Sequence, residues 1–234
     1  MNILPNIQII DLALYLKKEK ILIIADLHFG IEEALNKQGI LIPRFQFNQI
    51  LNRLENISNK VEIEKIVITG DLKHEFGIIS EQEWRDILQL FDFFKDKEII
   101  LVKGNHDKAL DYIADKRNIK VKEFYNVNDI CILHGDKVLK NKEFLNSKII
   151  VMGHVHPAVR FKGRSDKFKC FLLGKWKDKR LIVIPSMNQL AVGSDISKEF
   201  VHSPFLEQNL DNFEVYIVED KVYKPLKLKS IVSA

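Results

Sequence analysis

Short runs of consecutive apolar residues alternate along the chain with stretches whose apolar positions recur every three or four residues. IQIIDLALYL, a KKEK turn and ILIIA read as a strand hairpin. Between Phe45 and Ile57 the residues Phe47, Ile50, Leu51, Leu54 and Ile57 form one helical stripe. IVIT is the next strand. Glu81–Phe94 is helical again, with Trp84, Ile87, Leu88, Phe91 and Phe94 on one face and Ser80 placed to cap it. IILV, a short helix near Ala109–Asp115, the strands VKEF and ICIL, a short helix at Lys142–Asn146 and the strand IIVM come next. Beyond them the pattern is all-β: FLL, RLIVI, FEVYIVE and KVYKPLKL. Strands alternating with helices, then antiparallel hairpins, predict an α/β fold in which helices cover a mixed sheet system. No repeat, low-complexity tract or Pro/Gly/Ser-rich linker interrupts residues 1–234, which are expected to form one domain.

Composition narrows the class without naming a function. The chain is 46% hydrophobic and 29% charged over 234 residues, an ordinary globular balance that argues against disorder. No apolar stretch approaches the ~20 residues of a membrane span, and MNILPNIQIID lacks the basic and long apolar regions of a secretory signal. Cys131 and Cys170 each sit in an apolar run, which suits free thiols in a reducing cytoplasm better than a disulfide scaffold. A soluble cytoplasmic protein without membrane contact is expected.

The net charge of +4 is too small to mark a nucleic-acid binder, but its distribution is uneven. Nine basic residues stand between Arg160 and Arg180 against Asp166 and Asp178, so this segment is +7 and the remainder −3. Two readings fit: a solvated lysine-rich hairpin, or a basic lip that draws polyanions to a neighbouring site.

The chemistry is concentrated at the carboxyl ends of the strands. ILIIA ends in Asp26-Leu27-His28, IVIT in Gly70-Asp71-Leu72-Lys73-His74, and IILVK in Gly104-Asn105-His106-Asp107. ICIL ends in His134-Gly135-Asp136 and IIVM in Gly153-His154-Val155-His156-Pro157. All the histidines except His202 fall in these bursts. Side chains at the carboxyl ends of sheet strands line the crevice where open α/β sheets hold their ligands. Asp26 and His28, and likewise His154 and His156, are two apart and share one side of an extended strand end. Carboxylate, imidazole and amide oxygen together suit Mn²⁺, Fe²⁺ or Zn²⁺. There are more ligands than one tetrahedral site uses, so two metals are allowed, with an aspartate able to bridge them. Two divalent ions offset by two carboxylates and a hydroxide leave a positive site, which favours an anion. Such a pair clamps the attacking and leaving oxygens of a phosphoryl displacement, and no serine or cysteine stands in a nucleophile-like context.

The ordered set DLH, GDLKH, GNHD, HGD and GHVHP, from Asp26 to Pro157, resembles the calcineurin-like metallophosphoesterase superfamily. ADLHFG, GDLKH and VKGNHD are most similar to archaeal phosphoesterases related to the Mre11/SbcD nucleases, and to a bacterial phosphoesterase group associated with DNA ligase. The resemblance implies a four-layer αββα sandwich and a centre of two divalent ions, Mn²⁺ foremost, with Fe, Zn or Ni as alternatives. It implies Asp26, His28 and His156 on one ion, Asn105, His134 and His154 on the other, and Asp71 between them. His106, supported by Asp107, resembles the family's catalytic histidine, which stabilises the transition state and protonates the leaving oxygen. His74 matches the last position of GDxxH, with either a direct or a supporting role. PSMNQLAVGSD resembles a loop closing the core, so Ser186, Asn188 and Gly193 either border the substrate or serve a turn. Arg44, Arg160 and Arg164 are candidates for substrate phosphate, with solvated arginines as the alternative, and Trp84 and Trp176 read as packing residues.

The expected activity is hydrolysis of a nucleotide or nucleic-acid phosphodiester, such as DNA or RNA, by a di-metal-bound hydroxide. The alternatives are a phosphomonoesterase or protein phosphatase, and a non-catalytic binding protein on the same fold. The core takes up nearly the whole chain, leaving no room for the capping domain and coiled-coil docking segment of Mre11-type nucleases. DNA processing as in those complexes is therefore not expected.

Overall fold

Four-residue apolar runs such as Ile21–Ile24 have no polar face, so a strand made from one has to be covered on both sides. The computed structural model, which describes residues 1–199 and 202–233, satisfies this by stacking two sheets. The first is laid out in chain order: β1 (Asn2–Leu4), β2 (Ile7–Ile10), β3 (Ala13–Leu16), β4 (Ile21–Ile24), β5 (Lys65–Thr69), β6 (Glu98–Val102) and β7 (Lys120–Lys122). β1 to β4 form an antiparallel meander, and β4 to β7 run parallel. Their crossovers hold α1 (Ile31–Lys37), α2 (Gln46–Ser58), α3 (Glu81–Phe93) and α4 (Leu110–Ala114).

The second sheet is built from β8 (Phe124–Val127), β9 (Ile130–Leu133), β10 (Ile149–Met152), β11 (Pro157–Val159), β12 (Phe168–Trp176), β13 (Lys179–Val183) and β14 (Ser194–Asp195). They stand in the order β14-β11-β12-β13-β10-β9-β8, and β15 (Glu214–Ile217) joins β12 and carries β16 (Leu226–Lys227). β9, β10 and β13 are parallel to one another. Two short helices, α5 (Lys142–Asn146) and α6 (Leu228–Ser233), complete the elements.

Alternation along the strands assigns each side chain to a layer. Ile132, Val151, Phe171, Leu173, Ile182 and Ile184 face inward and share one core with the first sheet, α2 and α3. Their neighbours Cys131, Ile150, Met152, Leu172, Leu181 and Val183 face outward, into a second core with Phe144 of α5, Phe205 and Ile231 of α6. Helices, sheet, sheet and helices thus form four layers, as expected. Both cysteines are buried free thiols, and no helix is long and apolar enough to cross a membrane.

Several boundaries differ from the periodicity. IQIIDLALYL divides into β2 and β3 because Asp11 takes a left-handed turn, φ 55°. VKEF divides at Glu123: Lys120–Lys122 pair with β6 in the first sheet, while Phe124 pairs with Leu133 in the second. KVYKPLKL is not one strand. Pro225 has no N–H to donate, and pairing is confined to a Val218–Val222 bridge and the two residues of β16 before α6 begins. β1 and α1 are too short to show a period; of α1's apolar residues only Ala34 is buried. α3 begins with a full capping box, the Ser80 side chain accepting from Glu83 N–H and the Glu83 side chain from Ser80 N–H.

The inner layer carries the fold. Phe171→Ala, at a fully buried site, is expected to cost about 3–5 kcal/mol in urea unfolding. Leu41→Ala, at an 89% exposed site, should stay within about 0.5 kcal/mol.

Candidate metal centre

Parallel pairing sends the carboxyl ends of β4, β5 and β6 to one edge of the first sheet and those of β9, β10 and β13 to the matching edge of the second. The edges are stitched together: Thr69 Oγ1 donates to Leu133 O at 2.7 Å and Met187 N to Ala25 O at 2.9 Å. Each burst therefore enters one crevice. The chain turns its side chains inward through left-handed backbone at Asp26 (φ 52°), His28 (46°), Asp71 (46°), His154 (69°) and His156 (44°). Such conformations are uncommon outside glycine, and Asp and His are among the residues that tolerate them. Gly70 and Gly153 are required by close approach. A Cβ on Gly70 would overlap the His134 ring, and one on Gly153 would lie 2.6 Å from Asp26 Oδ2.

Three groups of converging donor atoms result: Asp26, His28 and His156; Asp71, His134 and His154; and His28, Asp71 and His106. His28 Nε2 lies 3.1 Å from His156 Nε2, and His134 Nε2 lies 3.0 Å from His154 Nδ1 and 2.9 Å from Asn105 Oδ1. Asp71 Oδ2 is 3.9 Å from His28 Nε2 and 3.4 Å from His134 Nε2, and so stands between the groups. The seven expected ligands are thus brought together. Asp26 Oδ1 is buried without a hydrogen-bond donor. Facing ring nitrogens about 3 Å apart and an orphaned carboxylate oxygen are an arrangement a pair of divalent cations would satisfy.

Burial and mutual charge set the electrostatics of these groups. Burial alone would raise the Asp71 carboxyl, but the His134 hydrogen bond and charge, His28 and the His106 N–H hold it well below the usual range. Burial opposes protonation of His134, yet Asp71, Asp26 and Asp136 lift it to about 9. A proton there sits where a cation would. His28 and His154 are held below the ordinary histidine value, mainly by burial and then by neighbouring histidines.

His106 sits beside this centre with Nε2 3.9 Å from Asp71 Oδ2. Its Nδ1–H donates to His74 O at 2.5 Å, which fixes the tautomer, and Phe76 stacks on the ring at 3.7 Å between centroids. Asp107 supports His106 differently from a carboxylate on the imidazole. It is fully buried, with Oδ1 accepting from Leu72 N and Lys73 N and Oδ2 from Gly104 N, and so ties the GDLKH and GNHD loops together. Burial and then Asp71 raise it to about 6. His74 contributes its carbonyl, while its ring Nδ1 is buried without a partner.

Some supports gave only a weak sequence signal. Glu83, fully buried, accepts from His74 N, Glu75 N and Ser80 N, and thereby pins the GDLKH segment to the start of α3. Ser80 as a cap marked the helix start but not this loop contact. His202 lies outside the bursts, yet its carbonyl accepts from His154 Nε2 at 3.0 Å, turning Nδ1 toward His134.

The structure places Ser186 and Asn188 behind the centre, fully buried. Ser186 Oγ donates to Asp26 O at 2.7 Å and Asn188 Nδ2 to Leu27 O at 2.7 Å, so both hold the DLH backbone. Gly193 backs His156, whose carbonyl accepts from Ser194 N. The basic segment is partly consumed inside the fold. Lys169 Nζ donates to Ser186 O, Asn188 O and Ala191 O at 2.6–3.0 Å, and Lys179 Nζ to Leu145 O and Ser147 O. Arg44 faces Glu33 at 3.7 Å, the Arg160 Nε is buried without a partner, and Arg164 is exposed. Trp84 and Trp176 pack against the inner and outer cores respectively.

A family model and one solved structure agree with this architecture. A family model described as calcineurin-like phosphoesterase matches residues 19–183. Among solved structures, the chain is similar to the nuclease MPE of Pseudomonas putida, with a TM-score of 0.66 and 19% identity over 94% of this chain and 100% of that one. A protein of unknown function from Aquifex aeolicus, AQ665, matches with a TM-score of 0.38 and 22% identity over 58% of this chain and 78% of that one. No curated protein sequence matches the chain.

The Lys169 amino group is the keystone behind the DLH loop. Lys169→Met leaves three enclosed carbonyls unpaired and is expected to cost about 2–4 kcal/mol. Burial lowers Lys169 to about 7, against about 10.4 in an unfolded chain. Unfolding therefore takes up a proton between these pH values, and this group's contribution makes stability rise with pH by up to about 1.4 kcal/mol per unit. Denaturant titrations from pH 7 to 10 should show that rise in the wild type relative to Lys169→Met.

Proposed function

The chain belongs to the calcineurin-like phosphoesterase family, and we propose from that premise that it is a divalent-metal-dependent phosphodiesterase acting on a nucleotide or nucleic-acid phosphodiester. The observation that carries the diester reading is the charge around the centre. Among the described residues, the ion-pair partners of Asp26 and Asp71 are all histidines. The cation nearest in sequence, Lys73, is fully buried with Nζ 3.9 Å from Glu83. A monoester dianion calls for more fixed positive charge than a diester monoanion. The likeness to a structure titled as a nuclease points the same way.

Asp26, His28 and His156 would hold one divalent ion and Asn105, His134 and His154 the other, with Asp71 shared. Such ions, when bound, neutralise phosphate charge and make water a nucleophile at neutral pH. The mixture of carboxylate, imidazole and amide suits Mn²⁺, Fe²⁺ or Zn²⁺, and the family resemblance puts Mn²⁺ first, with Fe, Zn or Ni able to substitute.

His106 supplies the acid. With Nδ1–H committed to His74 O, the imidazolium can release a proton only from Nε2, toward the leaving alkoxide. Asp107 and Glu83 hold the loops on which His106 and His74 ride, so the donor keeps its aim. A reducing compartment such as the cytoplasm fits the two free thiols.

Calorimetric titration with Mn²⁺ should give two ions per chain, and His154→Ala should leave one. His106→Ala should retain both ions and lower turnover of a diester with an alkoxide leaving group by more than tenfold. Unchanged turnover would remove the acid role. Faster hydrolysis of a monoester than of a diester with the same leaving group would favour the phosphomonoesterase alternative.

A further inference from the structure

A groove of about 1080 Å³ lies away from the metal-ligand cluster, between the Phe161–Phe168 turn and the segment after β15. Strand direction fixes where it opens. Val183 pairs with both Met152 and Leu172, so the amino-terminal end of β12 reaches the edge from which His154 and His156 project. Ile217 pairs with Cys170 near that same end. Phe161 stands five residues after His156, a span of at most ~17–18 Å in extended chain. Phe161, Phe168 and Ile217 belong to the outer core while Val222 packs on the inner one, which puts the groove at a margin of the sandwich, with Met1 also in its lining.

Its lining combines two kinds of chemistry. Phe161 and Phe168 meet edge to face at 5.8 Å, and Tyr223 is 39% exposed. Lys162, Arg164, Lys221 and Lys224 surround these rings and are exposed, with Glu219 the one acidic residue in the lining. Lys162, Arg164 and Lys224 take part in no ion pair among the described residues, and Lys221 lies over the Tyr223 ring at 5.2 Å. The tyrosine hydroxyl donates to Asp220 and steadies the ring at the rim.

We propose that this groove binds a single-stranded nucleic-acid segment running out of the metal centre. Bases would stack on Phe161, Phe168 and Tyr223, with phosphates on Lys162, Arg164 and Lys224. Aromatic faces interleaved with cations are how proteins hold single strands without reading sequence. A duplex keeps its bases inside and has none to offer these rings. The inference rests on the phosphodiesterase reading and names the substrate's form. It also divides the labour of the basic segment: Lys169 and Lys179 brace the fold, while Lys162 and Arg164 face the ligand.

The test is fluorescence anisotropy with a labelled 12-residue oligothymidylate in chelator, beside an abasic oligomer of the same length and charge. The wild type should bind the intact oligomer at least tenfold more tightly than the abasic one, and Tyr223→Ala should narrow that ratio. Lys162→Glu combined with Lys224→Glu should weaken binding at least tenfold and lower the salt slope by about 0.7 for each phosphate no longer neutralised. The milder Lys162→Gln with Lys224→Gln should act in the same direction, and thermal melts of all variants check the fold. Equal binding of intact and abasic oligomers, or no effect of the charge changes, overturns the groove. So does a dimer in sedimentation that the charge-reversed protein does not form, since the groove then belongs to a second copy. Wild-type hydrolysis of a small chromogenic diester is measured separately. Its absence defeats the phosphodiesterase reading, and the binding result still decides whether the groove holds a strand.

Discussion

Two buried carboxylates, Asp26 and Asp71, lie at the seam between the sheets, and their ion-pair partners among the described residues are all imidazoles. A buried carboxylate is costly unless it is hydrogen-bonded or paired. Here no lysine or arginine meets that need among the described residues. Backbone N–H groups take part of it, His106 N on Asp71 Oδ1 and His154 N on Asp26 Oδ2. The remaining oxygens and the converging imidazole nitrogens stay poised for cations. The layering of the sheets, the left-handed turns and the absence of a Cβ at Gly70 and Gly153 all serve this concentration of like groups.

Holding such a cluster together requires stiff loops, and the protein stiffens them with further buried charges aimed at backbone. Asp107 ties two loops, and Glu83 ties the GDLKH segment to α3. Glu32 of α1 accepts from Phe45 N and Gln46 N at the start of α2, where a negative charge also complements the helix dipole. Lys169 does the converse, donating to three carbonyls of the loop that carries Ser186 and Asn188. Each of these side chains is satisfied by fixed main-chain dipoles, so the loops around the centre inherit the rigidity of the sheets.

The histidine beside the centre shows how narrowly such a device is aimed. The orientation of its ring is defined by one carbonyl, that of His74, and one stacked ring, that of Phe76. Both ride on the segment that Glu83 anchors. The orientation of the ring is therefore set by the GDLKH loop as much as by His106 itself.

Much of this was legible in the chain. Consecutive apolar runs and period-3.6 stripes located most strands and the helices α2 and α3, because burial on two faces or on one is written directly into local residue order. The bursts of Asp, Asn and His after five strands marked the centre, since short-range spacing fixes which side chains share a strand end. Other features were decided only in three dimensions. VKEF reads as one strand, yet the chain changes sheets inside it. Ser186 and Asn188 read as candidates at a substrate border, yet their hydroxyl and amide face carbonyls of the DLH loop, far back along the chain. Lys169 and Lys162 read alike as surface cations, and one is enclosed while the other lines a groove. Local sequence determines periodicity and chemistry; which distant backbone group a side chain meets depends on how two sheets stack, and no local window contains that.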